Sequence, residues 1–362
     1  MIGGGAPGTG FAETPQTPQA RHSGSPLAVL QALETADTQP GTQAFVSPFN
    51  LAGSITDGAG NVVFSTSFGE MQAAEAAELA AKEQAGRLGL SGTALEKSSD
   101  AAKPSAFDAW MELHASYFVD SSSGFKSTGH GQVLYAGGDY LINLAFLIGL
   151  MGQADWIQQS TDALGSSTSG RGWMMGPYMA ARLTPNLTFD ARAEWGRADN
   201  QINPLGAFTD SFASERALYA AGLTGTWSFG ALSVSPSAQL LYYSEHQHSY
   251  TDALGNLIDG STTGLGQFNF GPEIGYRFDT AGSGVFEPFA GVKGEWNFER
   301  TSSGSGSGST PSGPVLRANV EAGGTFTAPN GITVRATGAY DGVADPTSRT
   351  YQGQLFVNVP LN

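Results

Sequence analysis

Period-2 hydrophobicity recurs in twelve segments between residue 106 and the carboxyl terminus, and the breaks between them alternate in kind. One set is tight: Asn143-Leu144, Thr184-Pro185-Asn186, Phe229-Gly230-Ala231, Thr280-Ala281-Gly282 and Ala328-Pro329-Asn330-Gly331. The other is long and polar, at roughly 120–131, 158–170, 198–215, 245–264, 299–313 and 341–349. A soluble sandwich has no reason to gather its short turns at one end and its long loops at the other. A bacterial outer-membrane barrel does, because its inner-side turns are short and its outer loops long. The alternation predicts an all-β chain, a 12-stranded antiparallel transmembrane β-barrel.

Two rows of side chains on each segment fit that reading. In the fifth, Leu187, Phe189, Ala191, Ala193 and Trp195 oppose Asp190, Arg192 and Glu194. In the seventh, Leu232, Val234, Ala238, Leu240 and Tyr242 oppose Ser233, Ser235, Ser237 and Gln239. The ninth sets Phe286, Ala290, Val292, Trp296 and Phe298 against Glu287, Lys293, Glu295 and Asn297. The tenth and eleventh set Leu316, Val320, Phe326, Ile332 and Val334 against Arg317, Asn319, Glu321, Thr333 and Arg335. A charge in hydrocarbon is costly, so one face suits lipid and the other a wet lumen. Periodicity alone does not say which face is which, and a soluble barrel would be the inverse. The turn asymmetry favours the membrane version, as do aromatics near segment ends acting as girdles: Trp110, Tyr117, Trp156, Trp173, Trp195, Trp227, Phe229, Trp296 and Phe298. The polar row then predicts a lumen wall of Glu112, Asp190, Arg192, Glu194, Glu273, Arg277, Glu287, Lys293, Glu295, Arg317, Glu321 and Arg335, whose charges of both signs are satisfied by pairing with one another and pack against a helix.

Composition excludes other classes. The longest apolar run, near 144–151, is far short of the roughly 20 residues of a membrane-spanning helix. With 17 Lys+Arg against 32 Asp+Glu and a net charge of −15, the chain lacks the basic face that nucleic acid needs. The absence of cysteine suits an exported protein. The start, Met1-Ile2-Gly3-Gly4-Gly5, has neither the basic nor the apolar region of a signal peptide, so a mature form or part of a longer chain is expected.

Ahead of the barrel, residues 1–63 hold too little apolar clustering for a core and read as a passenger remnant, disordered or a short β segment. Residues 64–105 read as a linker with one helix over 67–88. Ser67 can cap it, Glu70 completes a capping box, and Gly86 and Gly89 end it. Its stripe, with Glu70, Met71, Ala74, Ala77, Glu78, Ala81 and Lys82, is thin and alanine-rich. A solvated surface helix would look similar. The position, one linker before the first strand, favours a slender helix threaded through the pore. A helix with full side chains is about 10–12 Å across, and wall bases Arg192, Arg277, Lys293, Arg317 and Arg335 would meet its acids. Residues 106–362 form the barrel.

Four local stretches carry a resemblance. Phe64-Ser65-Thr66-Ser67 precedes the helix, Phe107-Asp108-Ala109-Trp110-Met111-Glu112 opens the first strand, and Gly138-Asp139-Tyr140-Leu141-Ile142 lies in the second. Val357-Asn358-Val359-Pro360-Leu361-Asn362 closes the last. In this order the chain from 64 to 362 resembles the translocator domain of autotransporters, the type V secreted proteins of Gram-negative bacteria. The resemblance implies a barrel in the bacterial outer membrane that conveys and anchors an upstream passenger at the cell surface, with a helix left in the pore. It implies outer-membrane lipid, the barrel-assembly machinery and the chain's own passenger as partners, with no cofactor. It also implies barrel ends on the periplasmic side and long loops outside. Two features depart from the family. Only about 60 residues precede the helix, and the chain ends Leu361-Asn362 rather than in Phe or Trp. The outward row Tyr351, Gly353, Leu355, Val357, Val359 and Leu361 can still serve as the assembly signal. No Asn lies between Gly69 and Ser105, so the self-cleavage of some members is not carried over.

Other chemistry is thin. His246 and His248 could ligate a metal with Glu245 and Asp252, but they sit in a long loop with no further His or Cys, and a solvated loop is the preferred reading. His114 beside Glu112 suggests a lumen hydrogen bond rather than a catalytic base. The Gly-Ser repeat at 304–309 has no Lys and no following helix, so it is a flexible loop and not a phosphate cradle. No catalytic, metal or cofactor residues are assigned, and a non-enzymatic monomer is expected. The alternatives are a small channel or porin, whose lumen would be empty, and an adhesin working through its outer loops.

Overall fold

Strands that bury one face and show the other to lipid have no edge to spare, since every backbone N–H and C=O inside a membrane needs a partner. The computed structural model describes residues 107–120, 126–143, 145–203, 206, 208–280, 284–304, 315–341, 343 and 348–361, and its strands meet that demand by closure. They are β1 (Phe107–Asp120), β2 (Ser127–Asn143), β3 (Phe146–Thr161), β4 (Ser166–Thr184), β5 (Leu187–Asn203) and β6 (Asp210–Gly225). There follow β7 (Leu232–Gln247), β8 (Ser261–Tyr276), β9 (Val285–Gly304), β10 (Val315–Thr327), β11 (Thr333–Asp341) and β12 (Ser348–Leu361). Each pairs antiparallel with the next. β12 then returns to β1 in an unbroken register from Phe107↔Leu361 to Asp120↔Ser348. The result is a closed 12-stranded antiparallel barrel. The helix expected over 67–88 lies outside the described residues.

Burial is inverted relative to a soluble barrel. On β1, Met111, Leu113 and Tyr117 are exposed while Glu112, His114 and Ser116 between them are buried. On β5, Asp190, Arg192 and Glu194 are buried beside exposed Trp195. The outward row of β9 runs Phe286, Pro288, Ala290, Val292, Gly294, Trp296 without a charge. At about 3.3 Å per residue and a tilt near 40°, that row spans about 25 Å, the height of an outer-membrane apolar band. Tyr117, Trp156, Trp173, Trp195, Trp227, Phe229, Trp296 and Phe298 are exposed at its borders, as expected of girdles. Trp110 is not among them. It shares parity with Glu112, points inward at 3% exposure and donates its indole N–H to Tyr178 Oη at 2.8 Å.

The two ends differ, though less in loop length than the sequence suggests. At one end residues 185–186 and 230–231 make two-residue turns, the second between a short strand Trp227–Phe229 and the start of β7 with which it pairs, and Gly230 takes φ 68°, a conformation a side chain would strain. At the other end the ladders run further than expected. The break placed at 158–170 shrinks to the single 3-10 turn Asp162–Leu164, capped by Gly165 at φ 61°. β6 begins at Asp210, and β8 and β9 stay paired as far as Ser261↔Gly304. Beyond the apolar band both strand faces are wet. Hydrophobic alternation therefore fades there although the hydrogen-bonded ladder continues. Between β7 and β8 a small hairpin, Tyr250–Thr251 with Leu257–Ile258, caps this end.

Candidate functional site

Among the described residues, buried charge collects on the lumen wall. Toward the loop end, Arg216 of β6 lies 2.8 Å from Asp155 of β3 and 3.5 Å from Glu245 of β7, with all three side chains almost wholly buried. Ser214 donates to Glu245 Oε1, Tyr243 donates to its Oε2 at 2.8 Å, and Asn200 donates to Ser214 at 3.0 Å. A guanidinium held by two carboxylates uses more of its five donors than a single pair would. The breaks expected at 198–215 and 245–264 place Asn200, Ser214 and Glu245 in loops, so the sequence does not disclose the network. Arg216 shares its inward row with Leu218 and Ala220, so hydrophobic parity does not mark it as part of the wall.

At mid-height Arg192 pairs with Glu194 at 3.5 Å and stands 5.7 Å from the Tyr135 ring centroid. Glu112 meets His114 at 2.6 Å, and the His114 ring packs edge-on to Tyr135. On the other half of the wall Lys293 holds Glu321 at 2.8 Å and Arg317 holds Asp341 at 3.2 Å. Arg335 holds Glu273 at 2.7 Å while lying over the Phe289 ring. Ser233 donates to Glu287, and Glu295 is half-buried opposite Arg317 in the ladder. Arg277 departs from the expected wall. β8 ends at Tyr276, and the Arg277 side chain is 57% exposed at the turn, 3.1 Å from Asp279.

These pairings revise the expected electrostatics. Arg192, Lys293, Arg317 and Arg335 are each matched by a carboxylate of the wall itself, and buried acids outnumber buried bases. The wall is acidic, and its bases are not held in reserve for a negative helix. Nor is it polar throughout. Trp110, Tyr135, Leu147, Tyr178 and Phe356 cluster toward the turn end, where Tyr178 donates to Asp139 at 2.8 Å. Phe118, Met174, Leu218, Leu241, Tyr243 and Leu265 form a second cluster reaching from β1 to β8. In a ring of twelve, β1 and β7 are opposite, so apolar side chains bridge the lumen at that level.

The weighed metal ligands do not converge. Glu245 points inward, His246 is exposed and 2.9 Å from Thr262 Oγ1, and His248 lies 3.6 Å from Glu215. Asp252 accepts the N–H groups of Leu254 and Asn256 in its own turn. Among the described residues no group of three or more His, Cys, Asp or Glu is placed to hold a metal. Gly304 ends β9, and the rest of the Gly-Ser repeat lies outside the described residues.

With this geometry the comparisons are decisive. A family model described as the autotransporter β-domain matches residues 109–341. The chain belongs to the autotransporter β-domain family. Its fold is shared by the β-domain of the Bordetella autotransporter BrkA, at TM-score 0.57 and 16% identity, over 71% of this chain and 100% of that one. It is shared by the translocator domain of NalP from Neisseria meningitidis, at 0.56 and 14%, over 83% and 99%. The transport unit of AIDA-I from Escherichia coli matches at 0.56 and 14%, over 69% and 89%. No curated protein matches the chain in sequence. The autotransporter barrel is thus an outer-membrane translocator for a passenger, which sets the porin and adhesin readings behind it. Translocator domains of this kind are generally not catalytic. On β12 of this autotransporter Tyr351, Gly353, Leu355 and Val359 are exposed and Val357 is half-exposed, while Leu361 is the last residue of the strand.

Proposed function

We infer that this autotransporter barrel stands with its short turns and the free ends of β1 and β12 in the periplasm, its extended loop end at the cell surface, and its upstream segment held through the lumen. The single observation that carries the orientation is the difference between the two ends, tight turns at one and ladders prolonged past the apolar band at the other. In this reading outer-membrane lipid covers the outward rows and the barrel-assembly machinery reads the β12 row Tyr351, Gly353, Leu355, Val357, Val359 and Leu361. Closure leaves no barrel edge to recruit a second copy, which supports a monomer. The work of the domain is conveyance and anchoring, not catalysis.

In this reading residues 1–63 are a passenger remnant, or a disordered or short β segment, and 64–105 the linker with the pore helix. The acidic wall changes which helix charges matter. Lys82 and Arg87 are the complementary ones, while Glu70, Glu75, Glu78 and Glu83 need the hydrated levels of the lumen. The slenderness of Ala74, Ala77 and Ala81 is what lets the helix pass the side chains that cross the pore.

The chain has no cysteine, so single cysteines test this cleanly. Leu254→Cys in the loop hairpin should react with a membrane-impermeant maleimide on intact cells, and Pro329→Cys in a turn only after permeabilisation. Cysteines scanned over Ala74, Ala77 and Ala81 against Asn319→Cys on the inner wall should yield at least one disulfide-linked species. Reaction of both single cysteines on intact cells contradicts the orientation. Absence of any cross-link across the scan contradicts the threaded helix.

A further inference from the structure

The outward rim of β3, β4 and β5 at the loop end carries side chains that conveyance through the lumen does not use. Trp156, Trp173 and Trp195 stand there about half exposed. One step further out along their strands come Arg171 and Arg197, with side chains 75% and 72% exposed. In the ladders Arg171 lies opposite Trp156 and Arg197 opposite Trp173, so each guanidinium rises directly beside an indole shelf. We propose that Arg171 and Arg197 above this tryptophan shelf bind the phosphate groups of a lipid headgroup in the outer leaflet. The proposal rests on the orientation inferred above, with the loop end at the cell surface.

Three observations carry it. The first is level. The outward rows below the shelf are charge-free, and interfacial tryptophans mark the height of lipid headgroups. The second is availability. The partners of the two arginines, Asp199 and Glu215, are at 3.8 and 4.0 Å and are themselves 75% and 55% exposed. Such long, solvated pairs contribute little. A phosphate with three acceptor oxygens matches the planar guanidinium fork better than these carboxylates do at that distance. The third is charge balance. The chain carries −15 overall, which repels an anionic leaflet, so attraction has to be local. On the far side, by contrast, the outward rim of β10 and β11 reaches Leu316 and Tyr340.

The test uses the folded full chain in detergent, with native mass spectrometry as the readout of bound lipid. The probes are an acylated disaccharide lipid bearing two phosphates and the same lipid dephosphorylated. The wild type should retain the phosphorylated form at least about tenfold more tightly. Arg171→Gln/Arg197→Gln should lose that preference, whereas Arg182→Gln/Arg277→Gln at the turn end should keep it. Millimolar inorganic phosphate should leave the lipid bound. Equal retention of the two lipids, or unchanged retention by the loop-end variant, overturns the proposal. Full displacement by inorganic phosphate also overturns it, since the site would then be one for a free anion. Loss in the turn-end variant alone would point to the wrong leaflet. The Leu254→Cys labelling reports that orientation independently, so the two failures are distinguishable.

Discussion

Replacing Arg216 by leucine is expected to destabilise the barrel by about 3–5 kcal/mol, because it strands two carboxylates in a buried position. Asp155 and Glu245 converge on this guanidinium from β3 and β7, and both side chains are nearly inaccessible. Ser214 and Tyr243 already donate to Glu245, which they cannot neutralise. Rescue is expected as well as loss. Arg216→Leu combined with Asp155→Asn and Glu245→Gln removes the uncompensated charges and should recover most of the stability. The exposed pair of Arg277 and Asp279 provides the contrast, since Arg277→Gln should move stability by no more than about 0.5 kcal/mol. Urea unfolding of the barrel in lipid vesicles, followed by tryptophan fluorescence, measures all three. An Arg216→Leu barrel as stable as the wild type would mean that water reaches these carboxylates freely.

Placing arginine on the outer face is the second large effect. Val292 is 54% exposed and lies within the charge-free row between Phe286 and Trp296, so Val292→Arg should cost about 2–4 kcal/mol in a bilayer. Asn319→Arg, on the opposite face, meets Asp341 across the ladder and the acidic wall around it, and should cost under about 1 kcal/mol. The same vesicle unfolding experiment ranks them. The reverse ranking would make the apolar row an interior and the barrel a soluble one.

How far the residues themselves disclose this molecule depends on whether the two rows of a strand differ in polarity. On β5 and β9 they differ sharply, and strand, face and parity could be read directly from Asp190, Arg192 and Trp195 or from Lys293 and Val292. On β6, β7 and β8 the inward row includes Leu218, Leu241, Tyr243 and Leu265, so hydrophobic alternation no longer marks the wall there, and the apolar bridge across the lumen is invisible in the sequence. Trp110 stands near a segment end like the girdle aromatics, but its parity with Glu112 and His114 places it inside. The Arg216 network was lost for another reason. Its strands continue past the membrane, where Ser, Thr, Gln and Asn on both faces look like loop although the ladder still holds them. That the wall charges pair is legible from their mixed signs, and Arg192 with Glu194 lies on one strand, but which strands the other partners come from is a matter of distance around the ring, which no linear pattern contains.

Display of a reporter on intact cells tests translocation by this barrel most directly. A protease-sensitive epitope is placed ahead of residue 64 in an exported form of the chain, and protease is added from outside. A translocating barrel leaves the epitope cleaved on intact cells while the barrel stays folded and heat-modifiable, and a chain lacking residues 107–361 leaves it protected. A folded, heat-modifiable barrel in the outer membrane with the epitope still shielded would contradict translocation.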